Sequence, residues 1–529
     1  MTIWNSLYYW ITMRFRRSRL LQVSLMIAVL LIFKTLNLYG QEKSKGLDMF
    51  RQIPTENNYD RGIEIKANVI ESQEADEDRD VFEGDGIKTN QGGKKSIRVA
   101  PDVIHPIENS LPPDTHHHNI LEERGKAKWP ERLNWVKIKG DITVYLLAAF
   151  YDDRDTLKDH FREAAVRVIA ISESKHVEMM CHLHYDDRVV KVKADVVRTS
   201  VLRRFVFENK QFRSNIYSCK VIKQQNSNKS PKFVSIVGPW QKSPTTFLPI
   251  ETPGYRKPLY KFCGCQRHFG NLDPSLIVEN FEIQKMFGIS KMFIYTTELD
   301  RIPAAVLEHY MKEGFVEVIE VPAMFENYPP NHYRPNHIRI LQPPSYNHCI
   351  YRNLYKCEFM IINDPDEFIV PRRDQDYTTM LKNIDRNHNI SEGYKTSYVF
   401  RNAFFYTHLP QNETEPSYVK SLRHQARMKA RYPDDSVKSF LRPSSCIGYH
   451  VHFCWTQTHE SKGRVIVNTD FALNYHYRAC HKIWEKTKKG NRCEQFKNEY
   501  QIDTHMLRYK DRIISAMRDQ AQKIGLPLS

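Results

Sequence analysis

The sequence predicts an α/β fold, with a Rossmann-like domain over residues 257–515, an all-β module over 131–250 before it, and an N-terminal transmembrane helix. Three observations carry this expectation. An apolar run at residues 20–39 is long enough to cross a bilayer, short branched-residue runs without helical period fill 133–237, and beyond Lys257 strands alternate with helices. The 529 residues leave room for two or three folded units, and 41% hydrophobic residues exclude wholesale disorder. With 78 Lys and Arg against 62 Asp and Glu, the net charge of +16 favours anionic partners. The basic residues are scattered, not gathered with aromatics as in nucleic-acid modules, so nucleic acid is not expected.

Taken in order, residues 1–19 read as a cytoplasmic tail containing Arg14, Arg16, Arg17 and Arg19. These charges orient the span at 20–39 with the short N-terminus inside, a single-pass type II anchor. Lys34 lies near its far end and can snorkel, and the stretch after Phe33 offers no small-residue cleavage pattern. Residues 40–130 are polar, with an acidic run at Glu74 to Asp80, and read as a flexible stem. Its His116-His117-His118 is expected to be incidental. All ten cysteines lie between Cys181 and Cys493, and the even number fits an oxidising compartment. Cys263-Gly264-Cys265 matches neither a zinc ribbon nor a redox C-x-x-C motif. Sequons at Asn228, Asn389 and Asn412 point the same way, towards a glycosylating lumen.

The β-rich segment carries runs such as Ile142-Thr143-Val144-Tyr145 and Val166 to Ile169, separated in part by turn-like stretches, which suggest a sandwich. Beyond it, Leu259 to Phe262 begins a strand. Asp273-Pro274 then supplies an N-cap and a favourable first position for a helix ending at Gly288. Met292 to Tyr295, a helix from Pro303 to Gly314, a strand from Phe315 to Val321, a helix from Ser345 to Cys357 and a strand from Phe359 to Ile362 continue the alternation.

Immediately after that last strand stands Asn363-Asp364-Pro365-Asp366-Glu367-Phe368. In open parallel sheets ligands bind beyond the carboxyl ends of the strands, where Asp364 and Asp366 fall. Two carboxylates one residue apart can face a hard divalent cation, which can bridge the phosphates of a nucleotide sugar; the alternative is an acidic turn closed by Pro371. An EF-hand is excluded, because Phe368-Ile369 supplies neither the oxygen ligands nor the glycine. A D-x-D phosphatase would carry a smaller residue than Phe368. The acid and base of a glycosidase face each other across a sugar, which adjacent residues rarely arrange.

Residues 257–478 resemble glycosyltransferase family 92. The resemblance rests on Lys261-Phe262-Cys263, Phe287-Gly288-Ile289, Phe293-Ile294-Tyr295, Leu307-Glu308-His309-Tyr310, Asp364 to Pro371, Lys438-Ser439-Phe440-Leu441-Arg442-Pro443 and Tyr475-His476-Tyr477-Arg478. Pro365 departs from the aliphatic or small residue of many relatives but removes neither carboxylate. The resemblance implies a GT-A-type catalytic domain in which Asp364, Asp366 and His476 bind a divalent ion, Mn²⁺. It implies transfer of a sugar, galactose from UDP-galactose, to a glycan hydroxyl, with inversion. Fucose on N-glycans is the acceptor suggested by characterised members.

Inversion requires a base on the acceptor hydroxyl, for which Glu367, Asp434 and Asp435 are candidates. Arg478 is placed to contact the diphosphate or to form a surface ion pair, and Tyr295 to stack on uracil or to pack in the core. His476 has the alternative of a core histidine among its tyrosines. The whole reads as a Golgi membrane glycosyltransferase with its catalytic domain lumenal. A catalytically silent lumenal lectin-like or scaffolding protein on the same fold is the rival.

Overall fold

The computed structural model describes residues 128–154, 164–174, 177–200, 206–207, 210–222, 229–254, 257–324, 339–390, 395, 397–430, 437–458, 463–480 and 499–528. The expected tail, anchor and most of the stem, together with Asn228, Asp434 and Asp435, lie outside the described residues. Among the described residues no helix is long and apolar enough to cross a membrane.

The β-rich segment forms β1 (Val136–Ile138), β2 (Val144–Asp152), β3 (Ala165–Glu173), β4 (Met180–His184), β5 (Val189–Arg198), β6 (Val206–Phe207), β7 (Lys210–Lys220), β8 (Phe233–Val237) and β9 (Leu248–Glu251). Their pairing order is β1-β2-β3-β7-β5-β4-β8-β9, with β6 on β7. β1 covers Val144 to Leu146 of β2, and β9 pairs in parallel with the next part, Ala149 opposite Ile250. The sheet therefore closes into a barrel where a sandwich was expected. Strand alternation reports which face is buried; it does not report which strand closes the ring, and closure removes the exposed edges.

A register shift between Leu146 and Ala148 re-aims β2. Val144, Leu146 and Ala149 point inward with Val166, Val168 and Ala170, while Ala148, Phe150 and Ile169 point outward into a second core. Both faces are covered, so β3 is buried along its whole length. The Cys181–Cys219 disulfide spans the barrel interior across β5.

The second part alternates β10 (Tyr260–Gly270), α1 (Pro274–Phe287), β11 (Lys291–Leu299), α2 (Arg301–Lys312), β12 (Val316–Glu320), α3 (Gln342–Arg352) and β13 (Cys357–Ile362). The Asp273 side chain accepts from the Ser275 N–H, and Gly288 at φ 113° ends α1 in the left-handed region. α3 begins earlier than the periodicity suggests and ends at Arg352. Pro343 and Pro344 sit in its first turn, where their missing N–H groups cost nothing.

The strand order β12-β11-β10-β13 is wholly parallel and reverses direction of build between β10 and β13. β18 (Lys438–Leu441) and β15 (Ser397–Phe400) add antiparallel pairings, and β21 (Arg464–Ile466) forms the far edge, so the sheet is mixed. A small sheet joins β14 (Glu367–Pro371), β22 (Ala472–Arg478) and β16 (Asn402–Tyr406). A hairpin of β19 (Cys446–Tyr449) with β20 (Cys454–Gln457) and a long-range antiparallel pair of β17 (Ala426–Arg427) with β23 (Gln501–Ile502) complete the fold. α4 (Tyr377–Asn387) and the C-terminal α5 (Lys510–Ile524) bury Tyr377, Ile384, Ile513 and Met517 in the same core as α1.

Cys263 and Cys265, two residues apart on β10, share one face of the strand. Cys263 bonds Cys357 at the start of β13, and Cys265 bonds Cys349 on α3. Gly264 between them faces the other way, and a Cβ there would lie 2.1 Å from Met292 Sδ. Each bridge closes a long loop, 94 and 84 residues, and restricts the unfolded chain accordingly.

The barrel is joined to this domain through a buried ion cluster. Arg154 contacts both oxygens of Asp152, at 2.7 and 2.8 Å, and Arg167 approaches the same carboxylate at 3.0 Å. Arg154 also donates to the carbonyls of Pro443 and Cys446, at 3.0 and 2.7 Å. Burial alone would raise the Asp152 carboxyl; Arg154 and then Arg167 overcome it and hold the group well below the usual range. Asp152→Asn leaves two buried guanidinium groups without their counter-charge and is expected to lower stability by about 3–5 kcal/mol in denaturant unfolding. A loss below about 1 kcal/mol would mean that the cluster behaves like an exposed ion pair.

Candidate functional site

The acidic turn follows β13 at the point where the parallel order reverses, which is where open α/β sheets place ligands. The turn is held from beneath by amides. Gln266 on β10 donates to Asn280 Oδ1 of α1 at 2.9 Å and to Asn363 Oδ1 at 3.2 Å. Asn280 in turn donates to the carbonyls of Pro365 and Glu367, at 2.9 and 3.1 Å. These polar side chains are buried on the sheet-facing side of α1, and each is satisfied by the turn it supports. Above, the Tyr477 N–H donates to the Asp366 carbonyl at 2.9 Å, tying the turn to β22.

Antiparallel register sets Glu367 directly opposite His476. His476 Nδ1 lies 2.8 Å from Glu367 Oε1, and its Nε2 lies 3.3 Å from Asp366 Oδ2. Lys438 enters from β18 and reaches Glu367 Oε2 at 3.0 Å and Asp364 Oδ2 at 3.3 Å. The Tyr346 hydroxyl of α3 stands 3.4 Å from the other Asp364 oxygen. Three carboxylates thus meet an ammonium and an imidazole in one cluster.

Burial would lower the His476 imidazole, but Glu367 first and then Asp366 raise it to about 9. Burial would raise Glu367; Lys438 and then His476 hold it well below the carboxylate range. Lys438, which burial would lower, is kept well above its ordinary value by Asp364 and Glu367. For Asp364 burial prevails over the pull of Lys438, and Glu367 and Asp366 add repulsion, so its carboxyl is raised.

The predicted residues separate into three groups. Asp364, Asp366, Glu367 and His476 come together. Arg478 lies two residues beyond His476 on the same face of β22, with its guanidinium 5.8 Å from the Phe404 ring. Tyr295 does not reach the site. Its side chain points from β11 into the core shared with the barrel, is fully buried, and meets His348 Nδ1 at 2.8 Å, so it presents no face to a base.

Glu367 is a poor base for an acceptor. It is 2% exposed, and both its oxygens are taken by cations, because strand alternation turns it inward where Asp366 turns outward. Lys438, Tyr346, Gln266 and Asn280 were missed. Lys438 heads a motif visible in the sequence, yet only the pairing of β18 with β13 brings it to the acids.

Two aspartates and an imidazole are a donor set suited to a divalent cation such as Mn²⁺. The Asp364 and Asp366 side chains are 31% and 28% exposed and so can be reached from solvent. Among the described residues no three such groups are drawn together into a ligating cluster, since Asp364 is turned towards Lys438 and Tyr346.

The proton on His476 makes a stability prediction. An unfolded histidine titrates near 6.5 and the folded one near 9, so the ion pair favours the folded state fully below pH 6.5 and is lost as pH rises through 9. With chelator present, the melting temperature is expected to fall between pH 6.5 and 9, and His476→Gln to flatten that part of the profile. An equal slope in the variant would remove His476 as its source.

No curated protein is significantly similar to the chain. The family model of glycosyltransferase family 92 matches residues 260–522, from the first residue of β10 almost to the end of α5. The match thus includes the helix that closes the core as well as every residue of the acid cluster. By this match the chain carries a domain of glycosyltransferase family 92, and it is a glycosyltransferase.

Proposed function

We propose that this chain is a Golgi membrane enzyme that transfers galactose from UDP-galactose to a glycan hydroxyl, with inversion, through a GT-A-type catalytic domain. The observation that carries the proposal is the acid cluster beyond β13, with Asp366 within 3.3 Å of His476. Family membership supports a nucleotide-sugar donor and an acceptor; galactose, UDP and the N-glycan fucose acceptor rest on the resemblance in the sequence. Asp364, Asp366 and His476 would hold Mn²⁺, whose contribution when bound is positive charge beside a diphosphate that becomes more negative as it leaves.

Lys438 and His476 offset much of the cluster's negative charge before any donor arrives and so reduce the repulsion among its carboxylates. Arg478, at the end of β22 two residues beyond His476, suits a phosphate oxygen. With Glu367 occupied, Asp434 and Asp435 remain the candidates for deprotonating the acceptor hydroxyl. The basic tail before an apolar run supports the type II anchor.

Asp366→Asn keeps the side-chain shape and removes the charge. Transfer is expected to fall by about a hundredfold or more with loss of Mn²⁺ dependence, while the metal-free protein stays folded and melts only slightly lower, because His476 keeps Glu367 as its main counter-charge. Near-wild-type transfer would reduce the Asp364 to Pro371 segment to a structural turn. Absence of donor hydrolysis in the wild type, with glycan binding retained, would favour the lectin-like rival.

Lumenal placement has its own measurement. Asn412 lies in a described turn in which its side-chain oxygen accepts from the Thr414 hydroxyl at 2.8 Å. Enzymatic removal of N-glycans from the cellular protein is expected to lower its apparent mass, and Asn412→Gln together with Asn389→Gln to reduce the shift. A mass unchanged by the treatment in any cell type would count heavily against lumenal placement.

A further inference from the structure

The β19–β20 hairpin takes no part in the ion pairs of the acid cluster, yet it stands beside them. His450 and His452 at its turn both feel the charge of Lys438, and His452 also that of Glu367 and His476. The His450 ring stacks on Trp455 at 4.1 Å between centroids and 7° between planes. Both residues are only partly buried, so the stack lies near the surface and is not sealed in the core.

The hairpin is held more firmly than a short turn requires for its own sake. Cys446 at the start of β19 is bonded to Cys454 at the start of β20, so the disulfide ties the hairpin's base to its turn end. From α3, the Tyr351 hydroxyl donates to the Ile447 carbonyl at 2.7 Å, and Asn347 exchanges hydrogen bonds with the Tyr449 backbone at 2.8 and 2.9 Å. From the barrel, Arg154 donates to the Cys446 carbonyl. Gly448 lies so close to β5 that a Cβ would come within 2.8 Å of Val197 Cγ1. Three separate elements therefore fix one small loop at the rim of a charged site, which is how a binding surface is pre-organised.

We propose that the His450–Trp455 stack is the platform on which the acceptor sugar lies, a pyranose presenting its apolar C–H face to the rings. The inference rests on the glycosyltransferase reading and adds to it the location of the second substrate. Trp455 packs with Val399, Val437 and Phe453, on the β15–β18 side of the acid turn. The crevice at the strand-order reversal opens between β10 and β13, on the other side, and belongs to the donor. A flat, partly buried aromatic pair suits an uncharged sugar, and the neighbouring charged cluster suits the diphosphate.

The test uses the full-length protein in detergent, with UDP-galactose as donor and core-fucosylated N-glycans as acceptor. Acceptor-independent release of UDP is measured alongside transfer. Trp455→Ala and His450→Ala are each expected to raise the acceptor KM about tenfold, with donor KM and acceptor-independent UDP release unchanged, and Trp455→Phe to restore most of the affinity. His450→Ala keeps the test available if Trp455→Ala fails to fold. An unchanged acceptor KM, or an equal loss of donor hydrolysis, overturns the platform. A wild type that releases UDP but transfers to no N-glycan also overturns it as assigned, whereas a wild type that hydrolyses no donor overturns the reading beneath it.

Discussion

Glu367 is the carboxylate around which the site is assembled. Buried and ionised, it has to be matched by opposite charge, and Lys438 and His476 supply that match from strands far away in sequence. Satisfying one inward carboxylate thereby draws β18 and β22 against the end of β13. Asp364 and Asp366, its outward neighbours, inherit their position from that closure. Asn280 acts in the same sense from beneath by fixing the Pro365 and Glu367 carbonyls, and Gln266 holds Asn280 and Asn363 in place for it.

Local signals in the sequence were sufficient wherever a local rule decides the structure. Asp273 and Gly288 bracket α1 because capping and left-handed backbone are matters of a few residues, and the Asp364 turn was legible because an apolar strand ends just before it. What escaped is set by long-range pairing. Barrel closure depends on β9 meeting β2, the partners of Cys263 and Cys265 lie far along the chain, and Lys438 reaches the acids only through the register of β18. Of the two readings open for Tyr295 the structure takes the core one and overturns uracil stacking, because a strand end read from sequence does not say which of its two faces the barrel will cover.

Among the described residues the barrel's buried charges Asp152, Arg154 and Arg167 serve the seam with the second domain, as do the outward-facing Ala148, Phe150 and Ile169. Through Arg154 and Val197 it reaches the hairpin that bears His450 and Trp455, and through Phe150 it stacks on Tyr351 of α3 at 5.6 Å between centroids. Its contribution is mechanical. A rigid closed sheet is a suitable base for a loop that must keep its shape while substrates exchange.

The pairings of Cys263 and Cys265 make the geometry of the acid turn depend on redox state. Both half-cystines sit on β10, and their partners clamp α3 and the start of β13, the strand whose far end carries Asp364. Their closeness on one face also admits an exchanged connectivity, with Cys263 joined to Cys349 and Cys265 to Cys357, which would drag helix and strand out of register. Thiol–disulfide exchange during biosynthesis therefore acts as a sorting step. A chain oxidised in the swapped arrangement would keep its covalent mass and lose its site, so the native site depends on these two neighbours each finding its own partner.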